Sequence, residues 1–222
     1  MQLLKSNVGR KLLMAITGQL MVLFVIVHLV GNSTIFVGAD WINAYAKHLH
    51  DLGPFVWIFR LAMLTLFGVH VIFGIQLTLE NSAANPKGYA VKNKLVTSFA
   101  GENMIWTGLL LAAFIVYHLL HFTVRVTNPE ISQGIDAVGR FDVYAMVTGS
   151  FKQGIIAFIY VVAMITLFLH TSHGIQSFFQ TMGWNNACTR PVITKIGTVV
   201  AVFLGFVYAC IPLSIFIGIL KG

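Results

Sequence analysis

Five long apolar runs, at about residues 11–31, 56–79, 104–124, 153–178 and 196–219, limit this 222-residue chain to very few folds. A hydrocarbon core of ~30 Å takes about 20 apolar residues of α-helix to cross, and each run has that length. In lipid every backbone N–H and C=O must find a partner within the protein, so only helices and closed barrels span it. The runs are continuously apolar and do not alternate, which predicts helices. Composition agrees: 57% of the residues are hydrophobic and 9% charged, with a mean hydropathy of +0.84. The polar sequence between runs is too short for a second, soluble domain. Residues 1–222 are therefore expected to form a single all-α membrane domain of five transmembrane helices. The connecting segments 32–54, 80–103, 125–152 and 179–195 carry the turn residues, and no low-complexity segment or short-period repeat stands out. Pro212 lies inside the fifth run and predicts a kink or an end there.

Charge sets the expected orientation. The first run follows Lys5, Arg10 and Lys11; it is about twice a signal-peptide core, has no small-residue cleavage site, and reads as a retained membrane helix. With the N-terminus in the cytoplasm, inner segments hold Lys5, Arg10, Lys11, Lys87, Lys92, Lys94, Arg190 and Lys195. Outer segments hold Lys47, Arg60, Arg125, Arg140, Lys152 and Lys221. This bias predicts N-in, C-out. The net charge of +7 suits cytoplasmic loops and anionic lipid rather than nucleic acid.

Histidines supply the functional signal. Six of the eight lie in the apolar runs: His28, His70, His118, His121, His170 and His173. Intramembrane ionisable residues are costly and mark functional sites. Imidazole is an axial ligand of haem iron, so histidines on four helices match two bis-histidine haems. Cys188 and Cys210 form no C-x-x-C-H motif, which excludes covalent haem attachment. At 1.5 Å per residue, His28 and His118 or His121 fall in the outer half, and His70 and His170 or His173 in the inner half, with on the order of 10–15 Å between the layers. The i, i+3 spacing within helices 3 and 4 leaves the choice in each helix open. Gly18, Gly31, Gly68, Gly74, Gly108 and Gly174 fit either room for a macrocycle or close helix packing. His48 and His50 fall in an outer loop. No carboxylate lies within a span, and no P-loop, dinucleotide fingerprint, nucleophile elbow or zinc signature is present.

The motifs Met14-Ala15-Ile16-Thr17-Gly18, Val27-His28-Leu29-Val30-Gly31-Asn32, His70 with Gly74-Ile75, Tyr117-His118-Leu119-Leu120 and His170 through His173-Gly174-Ile175-Gln176-Ser177-Phe178-Phe179-Gln180 to Gly183 carry a resemblance across nearly the whole chain. They resemble the five-helix, di-haem cytochrome b subunit of succinate dehydrogenase and fumarate reductase. The resemblance implies two haems b with axial ligands His28, His70, His118 and His170, paired His28–His118 and His70–His170. It also implies a flavoprotein with covalent FAD and an iron–sulfur protein as partners on the N-terminal side of a bacterial inner membrane, and a quinone, usually menaquinone, as electron partner. The dicarboxylate chemistry would then belong to the flavoprotein. The stretch Asn81–Lys87 has Lys87 but no arginine where the family carries a basic, Arg-containing segment. His50 is the candidate quinone-side proton exchanger, with Lys47, His48, Asp51 and Arg60 nearby in sequence. Two other readings remain: a di-haem cytochrome b subunit of a formate dehydrogenase or hydrogenase, and a proton-coupled transporter whose histidines relay protons.

Overall fold

The computed structural model describes Leu4, residues 6–84 and residues 98–220. The expectations placed on Lys5, Lys87, Lys92, Lys94 and Lys221, and most of the segment after the second run, fall outside those residues. The described chain is all-helical, and its only strand-like feature is an isolated bridge between Ile135 and Phe141. Helices α1 (Asn7–Ser33), α3 (Pro54–Ala84), α5 (Met104–His118), α8 (Gly154–Thr181) and α9 (Thr189–Phe216) are the five apolar runs. Each is long and apolar enough to cross a membrane, α5 when its continuation through Val124 is counted. That continuation, Leu119–Val124, is a π-helical turn, a wider winding often found at functional sites. α9 passes through Pro212 to Phe216, so the proline does not end the helix. It removes one N–H within the last two turns, and the final turn closes on the carbonyls of Leu213 and Ser214.

Two connections hold helices that hydropathy does not reveal. The segment expected as the first outer loop folds into α2 (Ala39–Asp51), and the third connection ends in α7 (Val143–Phe151). Two short helical turns, α4 (Phe99–Glu102) and α6 (Pro129–Ser132), also lie in the connections. Gly38, at φ 138°, makes the corner between α1 and α2, and Gly53, at φ 56°, the corner between α2 and α3. Both backbone angles suit glycine and strain other residues.

The four helices α1, α3, α5 and α8 form a ring in which each packs on the next, and α9 lies outside against α8 and α1. Gly197, Ala201 and Gly205 present a small-residue stripe to α8. A Cβ on Gly205 would come within 3.1 Å of the Met164 carbonyl, so the stripe is what lets the two backbones approach. The diagonal pairs, α1 with α5 and α3 with α8, do not pack extensively. A cluster of buried apolar residues lies at the end where α1 finishes, called distal here. There Ile35, Ile42, Met146, Val147, Phe151, Ile156, Tyr160, Ile211 and Ile215 meet. The long α3, by contrast, buries only Leu77.

The distal connections are tied by a polar knot. Asn43 on α2, 2% exposed, donates from Nδ2 to Asp142 (3.1 Å) and Asp136 (3.3 Å) and accepts the Tyr144 N–H at 3.0 Å. Asp142 also caps α7 by accepting the Ala145 N–H. Arg140 bridges Asp136 and Asp40, each at 2.7 Å. At the proximal end Arg10 forms a bidentate pair with Glu80, at 2.5 and 2.8 Å, which joins α1 to α3.

Candidate functional site: two crossed imidazole pairs

The diagonals of the ring are bridged by histidines. His28 on α1 faces His118 on α5 with ring centroids 6.1 Å apart and planes at 88°. His70 on α3 faces His170 on α8 at 6.2 Å and 74°. His70 lies level with Met14 and Thr17, and His170 level with Thr107, so each pair has its own depth. The eleven residues from Thr17 to His28, and again from Thr107 to His118, separate the pairs by on the order of 15–20 Å along the bundle. That is somewhat more than the sequence spacing suggests.

Local hydrogen bonds fix the state of the imidazoles. His70 Nδ1 lies 2.9 Å from the Met14 carbonyl. A carbonyl only accepts, so Nδ1 carries the proton and Nε2 is left bare. His170 Nδ1 lies 3.1 Å from Thr107 Oγ1. That hydroxyl already donates to the carbonyls of Asn103 and Met104, so it accepts from His170, and Nε2 is again bare. Bare Nε2 with Nδ1–H hydrogen-bonded is the usual state of a metal-binding histidine.

Two glycines permit this closeness. A Cβ on Gly18 would sit 2.8 Å from His70 Cε1, and one on Gly108 would sit 3.2 Å from His170 Cε1. The six glycines thus divide by role. Gly18 and Gly108 seat imidazoles, Gly31 makes room for the Tyr45 ring, Gly74 touches only the Met14 sulfur, and Gly68 and Gly174 face open space.

The non-pairing histidines separate as well. His121, 1% exposed, sits in the π turn and shares the Tyr160 hydroxyl with His118. Its Nδ1 is 3.0 Å from that oxygen and His118 Nδ1 is 3.3 Å from it. His121 Nε2 lies 3.1 Å from Ser150 Oγ. His173 packs against Gly101 and leaves its buried Nδ1 without a hydrogen-bond partner. His48 and His50 are exposed on α2 rather than in a loop. His50 stacks on Phe141 and lines an open distal pocket of about 620 Å³ with Gly53, Pro54, Trp57 and Arg60. Arg60 lies over the Trp57 ring at 5.0 Å, and Arg125, the one non-glycine residue at positive φ among the described residues, lies over Phe141 at 4.3 Å. Burial and the nearby Arg60 lower the Arg125 pKa.

The donor chemistry suits a haem. Among the described residues no three His, Cys, Asp or Glu side chains cluster as a metal site, so each centre offers imidazole pairs alone. Such a pair serves an iron whose other positions a porphyrin fills. With a metal–imidazole bond of about 2.0–2.1 Å and ~1.1 Å from nitrogen to ring centre, two imidazoles on one iron have centroids roughly 6–6.5 Å apart.

One signal in the sequence escaped the reading by spans. Thr17-Gly18, Phe24 and His28-Leu29 recur at the same spacing as Thr107-Gly108, Phe114 and His118-Leu119. His70 with Gly74-Ile75-Gln76 recurs as His170 with Gly174-Ile175-Gln176. The four-helix ring thus carries a two-helix unit twice, α1–α3 and α5–α8, and each paired histidine meets its own counterpart across the bundle axis. The repeat marks Thr17, Gly18, Thr107 and Gly108 as site residues. Comparison with protein-family models, with curated proteins and with solved structures finds nothing that matches this chain.

Proposed function

We propose that this chain is the di-haem cytochrome b anchor of a succinate:quinone oxidoreductase, and that it passes electrons between an iron–sulfur partner and a membrane quinone. The observation that carries the di-haem reading is the pair of crossed imidazole couples at 6.1 and 6.2 Å, two depths of one bundle. The choice of succinate and fumarate rests on the motifs around His28 and His170. A bis-imidazole haem exchanges single electrons and leaves no open position for oxygen.

The residues divide the work. His28 with His118, and His70 with His170, would hold the irons. The Met14 carbonyl and Thr107 keep two of those ligands in the binding tautomer, and Gly18 and Gly108 let them seat. On this reading the proximal end, with α1 starting in the cytoplasm, faces the iron–sulfur and flavin subunits. The distal pocket between His50 and Arg60 would take the quinone, with the exposed imidazole of His50 exchanging protons with solvent. An alternative partner set, that of a formate dehydrogenase or hydrogenase, would lack covalent flavin.

The test is a reduced-minus-oxidised spectrum with pyridine haemochrome quantification on the purified complex. Two low-spin haems b per chain are expected. One should be lost in H28A or H118A and the other in H70A or H170A, and covalent FAD should co-purify. The near-perpendicular ring planes predict strongly anisotropic low-spin EPR signals for both. A correctly folded preparation without haem would overturn the reading and favour the proton-coupled transporter.

A further inference from the structure

The two pairs are supported differently. Around the proximal pair the copies match, Thr17-Gly18 against His70 and Thr107-Gly108 against His170. Around the distal pair they do not. Tyr160 and His121 stand where the first copy has Arg60 and Gly31, so a chain of hydrogen bonds reaches His118 that has no counterpart at His28 among the described residues.

The direction of that chain follows from its far end. Ser150 Oγ lies 2.7 Å from the Met146 carbonyl, which only accepts, so the serine proton points there. Ser150 Oγ then accepts from His121 Nε2–H at 3.1 Å. His121 Nδ1 is therefore bare and accepts the Tyr160 O–H at 3.0 Å. The Tyr160 oxygen is left to accept from His118 Nδ1–H at 3.3 Å, and His118 Nε2 is bare. Asn128 approaches His121 Nε2 only at 3.5 Å; with its amide turned over, its oxygen would accept from the same N–H. The His121–Tyr160 and His121–Ser150 links are buried and the His118–Tyr160 link is part-buried, with Ser150 0% and Tyr160 6% exposed.

We propose that Tyr160, His121 and Ser150 are positioning residues for His118. Together they lock its tautomer from a backbone carbonyl four links away and make the distal centre electronically distinct from the proximal one. The proposal rests on the reading of His118 as an iron ligand. An acceptor on the far nitrogen of a ligating histidine makes the ring more basic, and a phenol that donates onward is the better acceptor for it. More basic ligation favours the oxidised metal and lowers its potential.

The test is a spectroelectrochemical titration of the complex in wild type, Y160F and S150A. Y160F keeps the ring and removes the acceptor. S150A touches no atom of His118 but frees His121 to move its proton to Nδ1, which turns the Tyr160 hydroxyl round. The expected result is an upward shift in the potential of one haem only, the one lost in H118A. The shift should be larger in Y160F than in S150A, and both variants should keep two haems. Wild-type potentials in both variants, or equal shifts in both haems, would overturn the proposal while leaving the cytochrome reading intact. Absence of haem from folded wild type would instead overturn the reading beneath it.

Discussion

Replacing Gly18 by alanine should remove a haem that α1 does not ligate. The new Cβ would lie 2.8 Å from His70 Cε1 and 3.1 Å from Nδ1, whereas ordinary contact begins at 3.4 Å. The ring must retreat by about 0.6 Å, which is beyond the ~0.2 Å tolerance of a metal–ligand distance. A retreat of that size also stretches the 2.9 Å bond to the Met14 carbonyl out of hydrogen-bond range. Overpacking costs ~1–3 kcal/mol, and loss of the hydrogen bond adds ~0.5–1.5 kcal/mol. The sum of about 1.5–4.5 kcal/mol corresponds to roughly 10- to 1,600-fold weaker binding at the proximal centre. The distal centre, which includes His28 on the same helix, should be untouched. Haemochrome quantification should therefore fall from two haems towards one, with the surviving potential that of the distal haem. Gly108→Ala, with its 3.2 Å approach to His170, should do the same more weakly. Gly68→Ala adds a methyl where nothing lies within 4 Å and should keep both haems. Two haems at wild-type potentials in Gly18→Ala would refute the idea that glycine seats the imidazole.

Asn43→Leu should detach α2 from α7, because it removes the Oδ1 that accepts the Tyr144 N–H and the amide that Asp136 and Asp142 share. A loss of ~1–3 kcal/mol would be read as a lower melting temperature of the complex in detergent. Asp136 gives the distal connection a defined acid sensitivity. Burial pushes its carboxyl pKa up, but the N–H groups of Arg140 and Val138 and the Arg140 side chain outweigh this and hold it below 3.8. A lowered folded value means that the stabilisation is fully present above the unfolded value and is lost as pH falls through the folded one. Pepsin cleavage within residues 133–142, corrected for enzyme activity, should rise only below about pH 4 in wild type, and at higher pH in Arg140→Ala. Cleavage that is the same in both would show that the Arg140 contact does not hold the segment.

The five spans were legible because hydropathy over twenty residues is a bulk property, insensitive to any single contact. The pairing of depths was legible too, since it needs only position along a helix. What stayed hidden depends on contacts between distant segments. The helices α2 and α7 lie in stretches punctuated by glycine and aspartate. Their apolar sides are too short to stand out until Asn43 and Asp142 meet. Tyr160 looked like any aromatic on an apolar helix, and His121 like a spare neighbour of His118. Only the fold brings both rings to one hydroxyl. The repeat was hidden for a different reason. Its first helices are offset by 90 positions and its second by 100, as Thr17 and Thr107, His70 and His170 show. No single period aligns both, because the connection inside the second copy is longer.

The crossed arrangement also bears on how the protein is made. Each two-helix copy contributes one imidazole to each pair, so a ribosome that has delivered α1 and α3 to the membrane has built half of both centres and the whole of neither. The His28–His118 pair is complete once α5, the third span, has entered, whereas the His70–His170 pair waits for α8, the fourth, which closes the ring. On the di-haem reading, loading of the proximal centre is therefore a late event of biogenesis, and a chain truncated before His170 could hold at most the distal centre.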